Sequence, residues 1–414
     1  MSHSLHALRA VATAAGCACV VSLPVLAQSS EAVDPGSTTV VVSASRSVQT
    51  LAEALPHTTV IDRAQIERLQ AVDLVSLLTT EAGVQVASNG GRGTASALFV
   101  RGAPTRQVLV LVDGVPLLRQ DATGQLGLEH LMLDQVERVE IVRGNVSALY
   151  GSGAVGGVIQ VFTRGASGSG VRGLVEGGSR GLAHASAGLS GQSGATAWSV
   201  GLSDQRDGGY SAIDPARVAA ANPDRDGYRN QSATLGLTHT AAPGQVLGLS
   251  LWHTEGRLDY DSSFATPADT QRSNTRKSVA RVWADNALGE RWTSRLSLST
   301  QRDDARYDES GPYGYVGRYV TRVESLRWAN DVVIDAGWRL VAGLEQERQH
   351  IDADDGFGGT YQRARSVRAV FAGMHVRGLS QQLALDLRRD HLDGTGSRTS
   401  ARAGWSWVPQ PAWT

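Results

Sequence analysis

One stretch, from Gln135 to Arg164, constrains the fold more than any other part of the sequence. Two runs of β-branched and other apolar residues, 136–142 and 158–162, predict strands at its two ends. The segment between them is rich in glycine, which indicates positive φ angles or a close approach of the backbone to other groups. The residues singled out in this region are Arg143, Gly144, Tyr150, Gly151, Gly153, Gly156 and Gly157.

The same stretch contains the spacing GxGxxG at 151–156. In a dinucleotide-binding fold this spacing joins a strand to the phosphate-binding end of a helix. Here it is followed by the strand-like run 158–162, and the chain shows no succession of strand and helix units. With 47 glycines present, short glycine patterns also arise by chance. A formal GxSxG at 177–181 lacks its flanking strand and helix, so no nucleophile is predicted there.

The first 27 residues have the pattern of a secretory signal peptide. A basic or titratable start precedes an apolar run over 10–26 that is interrupted by Pro24. A permanent membrane anchor is the alternative interpretation. Both cysteines, Cys17 and Cys19, lie in this segment, which argues against a disulfide-stapled or cysteine-ligated fold in the mature chain. The chain is predicted to be exported by a bacterium.

Charge and hydropathy narrow the class of protein further. The sequence has 39 basic and 40 acidic residues and no polybasic block, so nucleic acid is not an expected partner. Beyond the signal there is no apolar run near 18 residues, and no transmembrane helix is predicted. An exported chain of this kind can still cross a membrane as a closed β-barrel.

After Arg164 the composition changes to a Gly/Ser linker over 165–170 and then to segments in which apolar and polar residues alternate. Period-two alternation predicts half-buried strands and, in an exported chain, a transmembrane β-barrel; a soluble β-sandwich remains the alternative. The alternating apolar positions include Leu247, Leu249, Leu251, Leu296, Leu298, Leu383, Leu385, Leu387, Trp405 and Trp407. The tryptophans expected in interfacial girdles are Trp198, Trp252, Trp283, Trp292, Trp328 and Trp338.

Two earlier motifs complete the pattern: 98–102, which ends in Arg101-Gly102, and 108–117, which contains Asp113-Gly114. Together with 135–164 they resemble the plug domain of the TonB-dependent outer-membrane receptors. The motif residues that carry the resemblance are Arg101, Gly102, Asp113, Gly114, Arg143, Gly144, Tyr150, Gly151, Gly156 and Gly157.

The resemblance implies a mainly β fold in which an α+β plug, 50–164, lies inside an antiparallel transmembrane β-barrel, 165–414. Salt bridges from Arg101 or Arg143 to Glu137 or Glu140 are expected within the plug, with ordinary solvated charges as the alternative.

The number of strands raises a question. Between 170 and 414 the alternation accounts for roughly 12 to 14 strands, whereas barrels of this family close with about 22. The sequence also lacks a terminal strand ending in an aromatic residue. We therefore expect a chain that is truncated at its C-terminus relative to the family.

The N-terminal segment 28–49 contains a β-branched run whose position resembles the Ton box, the element through which such receptors contact the energy-transducing TonB protein. The alternative is an ordinary first strand. The residues of this run are Thr38, Thr39, Val40, Val41, Val42, Ser43 and Ala44.

Two short helices are predicted at the start of the plug. Asp62 and Gln65 form a potential capping box, followed by the expected core residues Ile66 and Leu69. The second helix is expected around Leu74, Leu77 and Leu78 and stops at Gly83. The loop that the resemblance places near the ligand-facing apex of the plug consists of Asn89, Gly90, Gly91 and Arg92.

A candidate metal site lies in the segment 222–228. Oxygen-bearing side chains at alternate positions, Asp224 and Asp226 among them, are followed by glycine, a pattern that suits a hard cation such as Ca²⁺. An EF-hand is excluded because the loop has no bidentate glutamate and no flanking helices. Merely solvated acidic loops are the alternative.

The acidic segments also resemble the extracellular loops of the family's cobalamin receptor, in which calcium orders the loops for substrate. Carried over by local motif, the candidate ligands are Asp224, Asp226, Asp261 and Asp269. Ser211 stands where that receptor has an aspartate, and Asp214 is a potential substitute.

The resemblance implies energy-coupled uptake without covalent chemistry, so no catalytic residue or catalytic cofactor is expected. Expected partners are TonB, a corrinoid or iron-chelate ligand, and outer-membrane lipid. Three hypotheses follow: a corrinoid transporter; a ferric siderophore or haem receptor, for which Tyr307, Tyr313, Tyr315, Arg318 and Tyr319 form a candidate cluster; and a non-transporting outer-membrane binding protein or truncated gene product.

Overall fold

The computed structural model describes residues 40–41, 46, 49–51, 54–121, 124–165, 168–214, 216–218, 222–262, 266–378 and 380–407. The predicted signal peptide lies outside these residues. So do five residues of the predicted Ton box, namely Thr38, Thr39, Val42, Ser43 and Ala44.

The N-terminal part, the predicted plug, contains short strands and helices. The strands are β1 Val40–Val41, β2 Gln49–Thr50, β3 His57–Asp62, β4 Val84–Ser88, β5 Ser96–Val100, β6 Ala103–Pro104, β7 Val108–Val112, β8 Val115–Pro116, β9 Val136–Arg143 and β10 Gly157–Thr163. The helices are α1 Arg63–Leu69, α2 Leu74–Leu78 and α3 Ser147–Tyr150. One sheet has the order β3-β9-β10-β7-β8, and in it only β10 and β7 are parallel.

Two tight turns explain why the motif residues occur in pairs. Arg101 and Asp113 have positive φ angles of 49° and 48°, and Gly102 and Gly114 follow with 81° and 80°. Two consecutive positive φ angles define the type I′ hairpin turn, which matches the twist of antiparallel strands. Asp113 is also held by Thr163, whose N–H and hydroxyl donate to its carboxylate at 2.9 and 2.7 Å. Arg101 is exposed, and no ion pair to it is found among the described residues.

The glycine-rich turn before β10 is closely packed, as its composition predicts. A Cβ atom on Gly157 would lie 2.2 Å from the carbonyl oxygen of Val142. One on Gly156 would lie 2.4 Å from the Cβ of Ala103. Neither neighbour can move without displacing backbone, so only glycine fits at these positions.

The first two helices form where predicted, with one error in the expected core. Asp62 caps α1 by accepting a hydrogen bond from the N–H of Gln65 at 2.8 Å. Ile66 is buried, but Leu69 is 42% exposed, so its assignment to the core was wrong. Leu69 is the last residue of the helix, and the chain leaves the helix at Gln70, which has a left-handed conformation.

The C-terminal part is one antiparallel sheet of twelve strands, each paired with the next in sequence. Its strands are β11 Gly170–Gly177, β12 Ala183–Ser193, β13 Thr196–Asp207, β14 Tyr228–Ala242, β15 Gln245–Tyr260, β16 Gln271–Ala287, β17 Trp292–Glu309, β18 Val316–Val333, β19 Trp338–Asp354, β20 Thr360–Arg377, β21 Gln381–Leu392 and β22 Gly396–Trp407. Within the described residues β11 and β22 do not pair, so the sheet is an open arc of a barrel.

The two ends of this sheet differ. At the turn end, short connections join the strands, at 194–195, 243–244, 288–291, 334–337 and 378–380. At the loop end, the connections include the longest one in the sheet; they are 178–182, 208–227, 261–270, 310–315, 355–359 and 393–395.

The alternation predicted from sequence places one set of side chains against the plug and the other outside. Trp252 and Val279 face inward and join the core of the plug, which contains Ile66, Leu77 and Ile141. The opposite face carries exposed apolar residues, for example Leu251, Leu298, Leu344 and Leu387. This apolar outer face is typical of a transmembrane barrel.

Four of the six predicted girdle tryptophans lie on the outer face near the turn end, 37 to 43% exposed: Trp198, Trp292, Trp328 and Trp338. Two assignments were wrong. Trp252 is buried against the plug, and Trp283 shares the inner face with Arg281, whose guanidinium lies 4.9 Å from its ring centroid. Both occupy positions of inward parity, which composition alone does not reveal.

Among the described residues, no helix is both long and apolar enough to cross a membrane.

Candidate functional site

The loop that was predicted to face ligand, Asn89–Arg92, lies against the longest loop-end connection of the sheet. Arg92 forms an ion pair with Asp207, with 3.3 Å between Nε and Oδ2. A Cβ atom on Gly91 would lie 3.5 Å from the ring of Tyr210. The plug and the barrel loop therefore form a common surface at the loop end.

Next to this loop, Tyr228 of β14 anchors the plug. Its ring occupies the space that a side chain at Gly93 would need, because a Cβ atom there would lie 2.1 Å from the ring. The hydroxyl donates to the carbonyl of Glu129 at 3.2 Å and is 3.1 Å from Nδ1 of His130. The amide of Asn230 donates to the same hydroxyl at 3.1 Å.

Three of the four predicted metal ligands meet beside this surface. Asp224, Asp226 and Asp261 each bring one carboxylate oxygen within 4.8 Å of the others. The second oxygens are fixed by the protein: Oδ2 of Asp226 accepts from the N–H of Ala212 at 2.7 Å, and Oδ2 of Asp261 accepts from the hydroxyl of Ser211 at 2.9 Å. The carboxylates are thus held in place by the loop itself.

The remaining oxygens of this cluster are suited to a cation. Oδ1 of Asp226 and Oδ1 of Asp261 are buried and accept no hydrogen bond from any described residue. Burial, aided by the charges of Asp261, Asp224 and Asp259, raises the pKa of Asp226 to about 7, although the Ala212 N–H opposes this. Burial and the charges of Asp261 and Asp259 also raise the pKa of Asp224. Carboxylates crowded in this way favour a positive charge among them.

The other residues considered for this site lie elsewhere. Asp269 is not in the cluster; its carboxylate accepts from the N–H of Thr266 at 2.8 Å. Asp214 does not take the place of the aspartate missing at Ser211, since its carboxylate accepts from the N–H of Ala216 at 3.0 Å. Ser211 supports the site instead, by donating to Asp261. The local sequence motif cannot show this, because the contact joins two separate loops.

Aromatic residues cluster at the loop end, on β17 and β18 and in the adjoining connections. Tyr307 and Tyr319 make an edge-to-face contact at 6.2 Å, and Tyr315 stacks on Phe357 at 5.0 Å. Phe357 was missed because it lies in a different loop from the tyrosines. Arg318, which was grouped with them, faces outward and pairs with Asp304 at 2.8 Å. Arg318 and Tyr319 are consecutive residues of β18, so their side chains point to opposite faces of the sheet.

Within the plug, Arg143 is a central structural residue. It is buried, donates to Glu81 at 3.0 Å and to the carbonyl of Ala82 at 2.9 Å. The predicted pairing with Glu140 was wrong, because that carboxylate is fully buried beside Arg138 at 2.9 Å.

A buried polar network connects the plug to β16 and β17. Arg119 donates to Asp303 at 3.0 Å, and Lys277 forms an ion pair with the same carboxylate. Lys277 also donates to the carbonyl of Leu126 at 2.6 Å. These residues are spread over nearly 200 positions in sequence, so no local pattern indicated them.

On the other side of the plug, Arg46 reaches the barrel wall at β19. It forms a buried ion pair with Glu345 and lies 4.3 Å from the ring centroid of Tyr150 and 4.7 Å from that of Phe371. Arg388 also binds Glu345, at 2.7 Å. Arg46 lies two residues after the end of the predicted Ton box run, and this contact binds Arg46 to the wall.

The two described residues of the predicted Ton box, Val40 and Val41, form β1, which pairs antiparallel with Gln49 and Thr50. The described part of the run is therefore extended, as expected both for a Ton box and for an ordinary first strand.

Residues 50–158 match the family described as TonB-dependent Receptor Plug Domain. The twelve-stranded antiparallel sheet around this domain is the barrel fold of the same receptors. The chain belongs to the TonB-dependent receptor family, as the plug motifs predicted.

Among its relatives are vitamin B12 transporters named BtuB. The protein of that name from Vibrio cholerae serotype O1 is 33% identical over 384 residues, which cover 90% of this chain and 60% of that protein. The one from Photobacterium profundum is 27% identical over 363 residues, covering 87% and 58%. The chain thus spans about 60% of the length of these relatives.

Solved structures of receptors share the fold. A ferric enterobactin receptor (PfeA) mutant from Pseudomonas aeruginosa superposes with a TM-score of 0.70 at 18% identity, over 90% of this chain and 62% of the other. The ferric yersiniabactin uptake receptor FyuA from Yersinia pestis gives 0.66 at 19% identity, over 84% and 61%. At these identities the likeness concerns the fold alone.

Proposed function

We propose that this protein is an outer-membrane receptor for high-affinity uptake of cobalamin or a related corrinoid into the periplasm, energised by TonB. The observation that carries this proposal is the 33% identity to a vitamin B12 transporter across 90% of the chain. No other relative or structural neighbour described above combines that identity with that coverage.

The ligand binds at the loop end, where the plug loop 89–92 meets the connection that contains Asp226. This surface unites both domains, so a ligand bound there contacts the plug and the wall at once. Barrels of this class have short periplasmic turns and longer extracellular loops, which assigns the loop end to the cell exterior.

Asp224, Asp226 and Asp261 would hold Ca²⁺. The fit rests on two buried carboxylate oxygens without a hydrogen-bond donor and on the hard oxygen chemistry that this ion prefers. The bound ion would neutralise the three carboxylates and so stabilise the ordered form of the loops. Ser211 and the N–H of Ala212 orient two of the carboxylates for this role.

Coupling to TonB uses the N-terminal segment. Arg46 is held in a buried contact with Glu345 and Tyr150, so the preceding Ton box run is tethered at its C-terminal end. A ligand that favours the conformation in which Arg46 is released makes that run available to TonB. The coupling is then a shift in population between two states of one contact.

The test is equilibrium binding of cyanocobalamin to the detergent-solubilised chain, first with Ca²⁺ and then with a chelator. We expect saturable binding that weakens at least about tenfold on chelation, because the loops lose their neutralising ion. Asp226→Asn should reproduce the chelated state, while Asp214→Asn, in the same loop but outside the cluster, should not. Absence of cobalamin binding in both conditions would overturn the corrinoid assignment.

A ferric siderophore or haem receptor is the second candidate. The aromatic pairs Tyr307–Tyr319 and Tyr315–Phe357 at the loop end favour it, since aromatic rings pack well against a planar conjugated ligand. Binding of an iron chelate in the same assay, without binding of cobalamin, would select this candidate. Binding of neither would leave a non-transporting binding protein.

A further inference from the structure

The outer face of the sheet changes from apolar to basic toward the loop end. On β18 to β21 the outward residues nearer the turn end are leucine or valine and are 42 to 54% exposed: Leu326, Leu344, Val370 and Leu387. Within the next two outward positions of each strand there is an exposed arginine. We call these four residues the arginine row: Arg322, Arg348, Arg368 and Arg389.

The arginine row crosses four consecutive strands. In the strand register Glu324 lies opposite Arg348, Gln346 opposite Arg368, and Val370 opposite Arg389, so the row steps gradually across the sheet. Neighbouring strands are about 4.8 Å apart, which gives the row a width of about 15 Å. The row follows the border of the exposed apolar face that is nearer the loop end.

The arginine row differs from most other outward arginines because its side chains have no partner. Within the described residues none of its four side chains makes a hydrogen bond or an ion pair, and Glu324 is not within ion-pair distance of Arg348. Outward arginines that do pair with carboxylates include Arg206 and Arg229 with Asp204, Arg272 with Asp259, Arg276 with Glu255, and Arg318 with Asp304. Among the described residues, Arg257 on β15 is a further exposed outward arginine without such a partner, but it lies outside the row.

We propose that the arginine row binds the phosphate groups of anionic lipid headgroups in the membrane leaflet at the loop end. Guanidinium groups bind phosphate oxygens in a bidentate manner, and the row lies at the height where headgroups meet the hydrocarbon. A soluble anion would have no reason to be recognised at this border. The inference rests on the proposed outer-membrane location and not on the proposed substrate.

The test compares two fourfold variants of the full chain in non-ionic detergent micelles, using fluorescent bisphosphorylated lipid A as the probe. In the first, R322Q/R348Q/R368Q/R389Q, we expect affinity for the probe to fall about a hundredfold, since each basic residue near a membrane surface contributes substantially to anionic lipid binding. The matched control, R206Q/R229Q/R272Q/R276Q, removes the same charge from the same face and should lose less than about threefold, because those arginines are already paired.

An equal loss in both variants would overturn the proposal, since net charge alone would then explain binding. Displacement of the lipid by millimolar inorganic pyrophosphate would also overturn it, in favour of a site for soluble anions. If the first variant does not fold, the test uses the unmodified chain with two lipid probes. The chain should bind the bisphosphorylated lipid at least about tenfold more tightly than the same lipid lacking both phosphates, and equal binding of the two lipids would overturn the proposal. Cyanocobalamin binding, measured on the same samples, separates failure here from failure of the proposed function.

Discussion

The plug contacts the barrel wall differently on its two sides. Along β14 to β17 the contact is close, and buried polar groups such as Arg119, Lys277 and Asn230 all have partners across it. Along β18 to β21 the plug is separated from the wall by a cavity of about 280 Å³, lined by charged residues that include Arg46, Glu345 and Arg388. One side is closely packed, and the other contains a cavity lined by charged side chains.

The two sides of the plug differ in how much free energy it costs to open their contacts with the wall. A buried network of ion pairs is costly to open, because each broken ion pair leaves a charge without compensation. A charged cavity can admit water when one ion pair opens, so its contacts exchange at lower cost. We infer that the plug stays attached along β14 to β17 and rearranges first along β18 to β21, where Arg46 binds the wall.

The largest effect is expected from Asp303→Asn on the packed side. This substitution leaves Arg119 and Lys277 buried without their shared carboxylate and should reduce the free energy of unfolding by about 3 kcal/mol or more. The midpoint of urea unfolding in detergent measures the change. Asp308→Asn, whose ion pair with Arg306 is solvent-exposed, is the control and should change the free energy by less than about 0.5 kcal/mol. Equal effects would show that the network does not stabilise the contact.

A different kind of effect is expected from Glu345→Gln on the cavity side. It removes the carboxylate that binds Arg46, so the segment before Arg46 should become more accessible. Ser43→Cys introduces a thiol there, and its maleimide labelling should accelerate by about tenfold, equivalent to about 1.4 kcal/mol in the population of the released form. Glu347→Gln, on the same wall but without a contact to Arg46, should leave the rate unchanged. An unchanged rate in Glu345→Gln would mean that this ion pair does not hold the segment.

The smallest effect is expected at the border between the packed side and the cavity side of the plug. Tyr228→Phe removes a hydroxyl that interacts with Glu129, His130 and Asn230, and should cost about 1 to 2 kcal/mol of unfolding free energy. It should not alter labelling at position 43, since it lies on the packed side. Tyr361→Phe, where the ring is 42% exposed, serves as the matched control and should be neutral in both measurements. Faster labelling in Tyr228→Phe would show that the two sides are coupled.

The sequence predicted the fold well because its strongest signals are local. Paired turn residues such as Asp113-Gly114 and the alternation along the later strands each specify the structure of their own segment. The sheet has 12 strands within the described part of the chain, a number inside the predicted range for the same reason. Trp252 was misplaced because its exposure depends on which face of the sheet meets the plug, and that is decided only when the two domains pack together. Leu69 was misplaced because it is the last residue of α1.

The candidate site was predictable only in part. Asp224 and Asp226 lie two residues apart, so their proximity follows from the loop sequence. Ser211 and Asp261 belong to different loops, and their contact depends on the register of the two intervening strands, β14 and β15. The network around Asp303 joins residues from three distant segments, and a single sequence contains no information that pairs them.

One consequence follows from the composition of the packed side. Lys277 is the only lysine in the sequence, and its side chain is 2% exposed behind the plug. An amine-directed acylating reagent can therefore modify the folded chain only at its N-terminal amine. Appearance of a second acyl group in the intact mass would report the moment at which the plug detaches from β16, without any engineered probe.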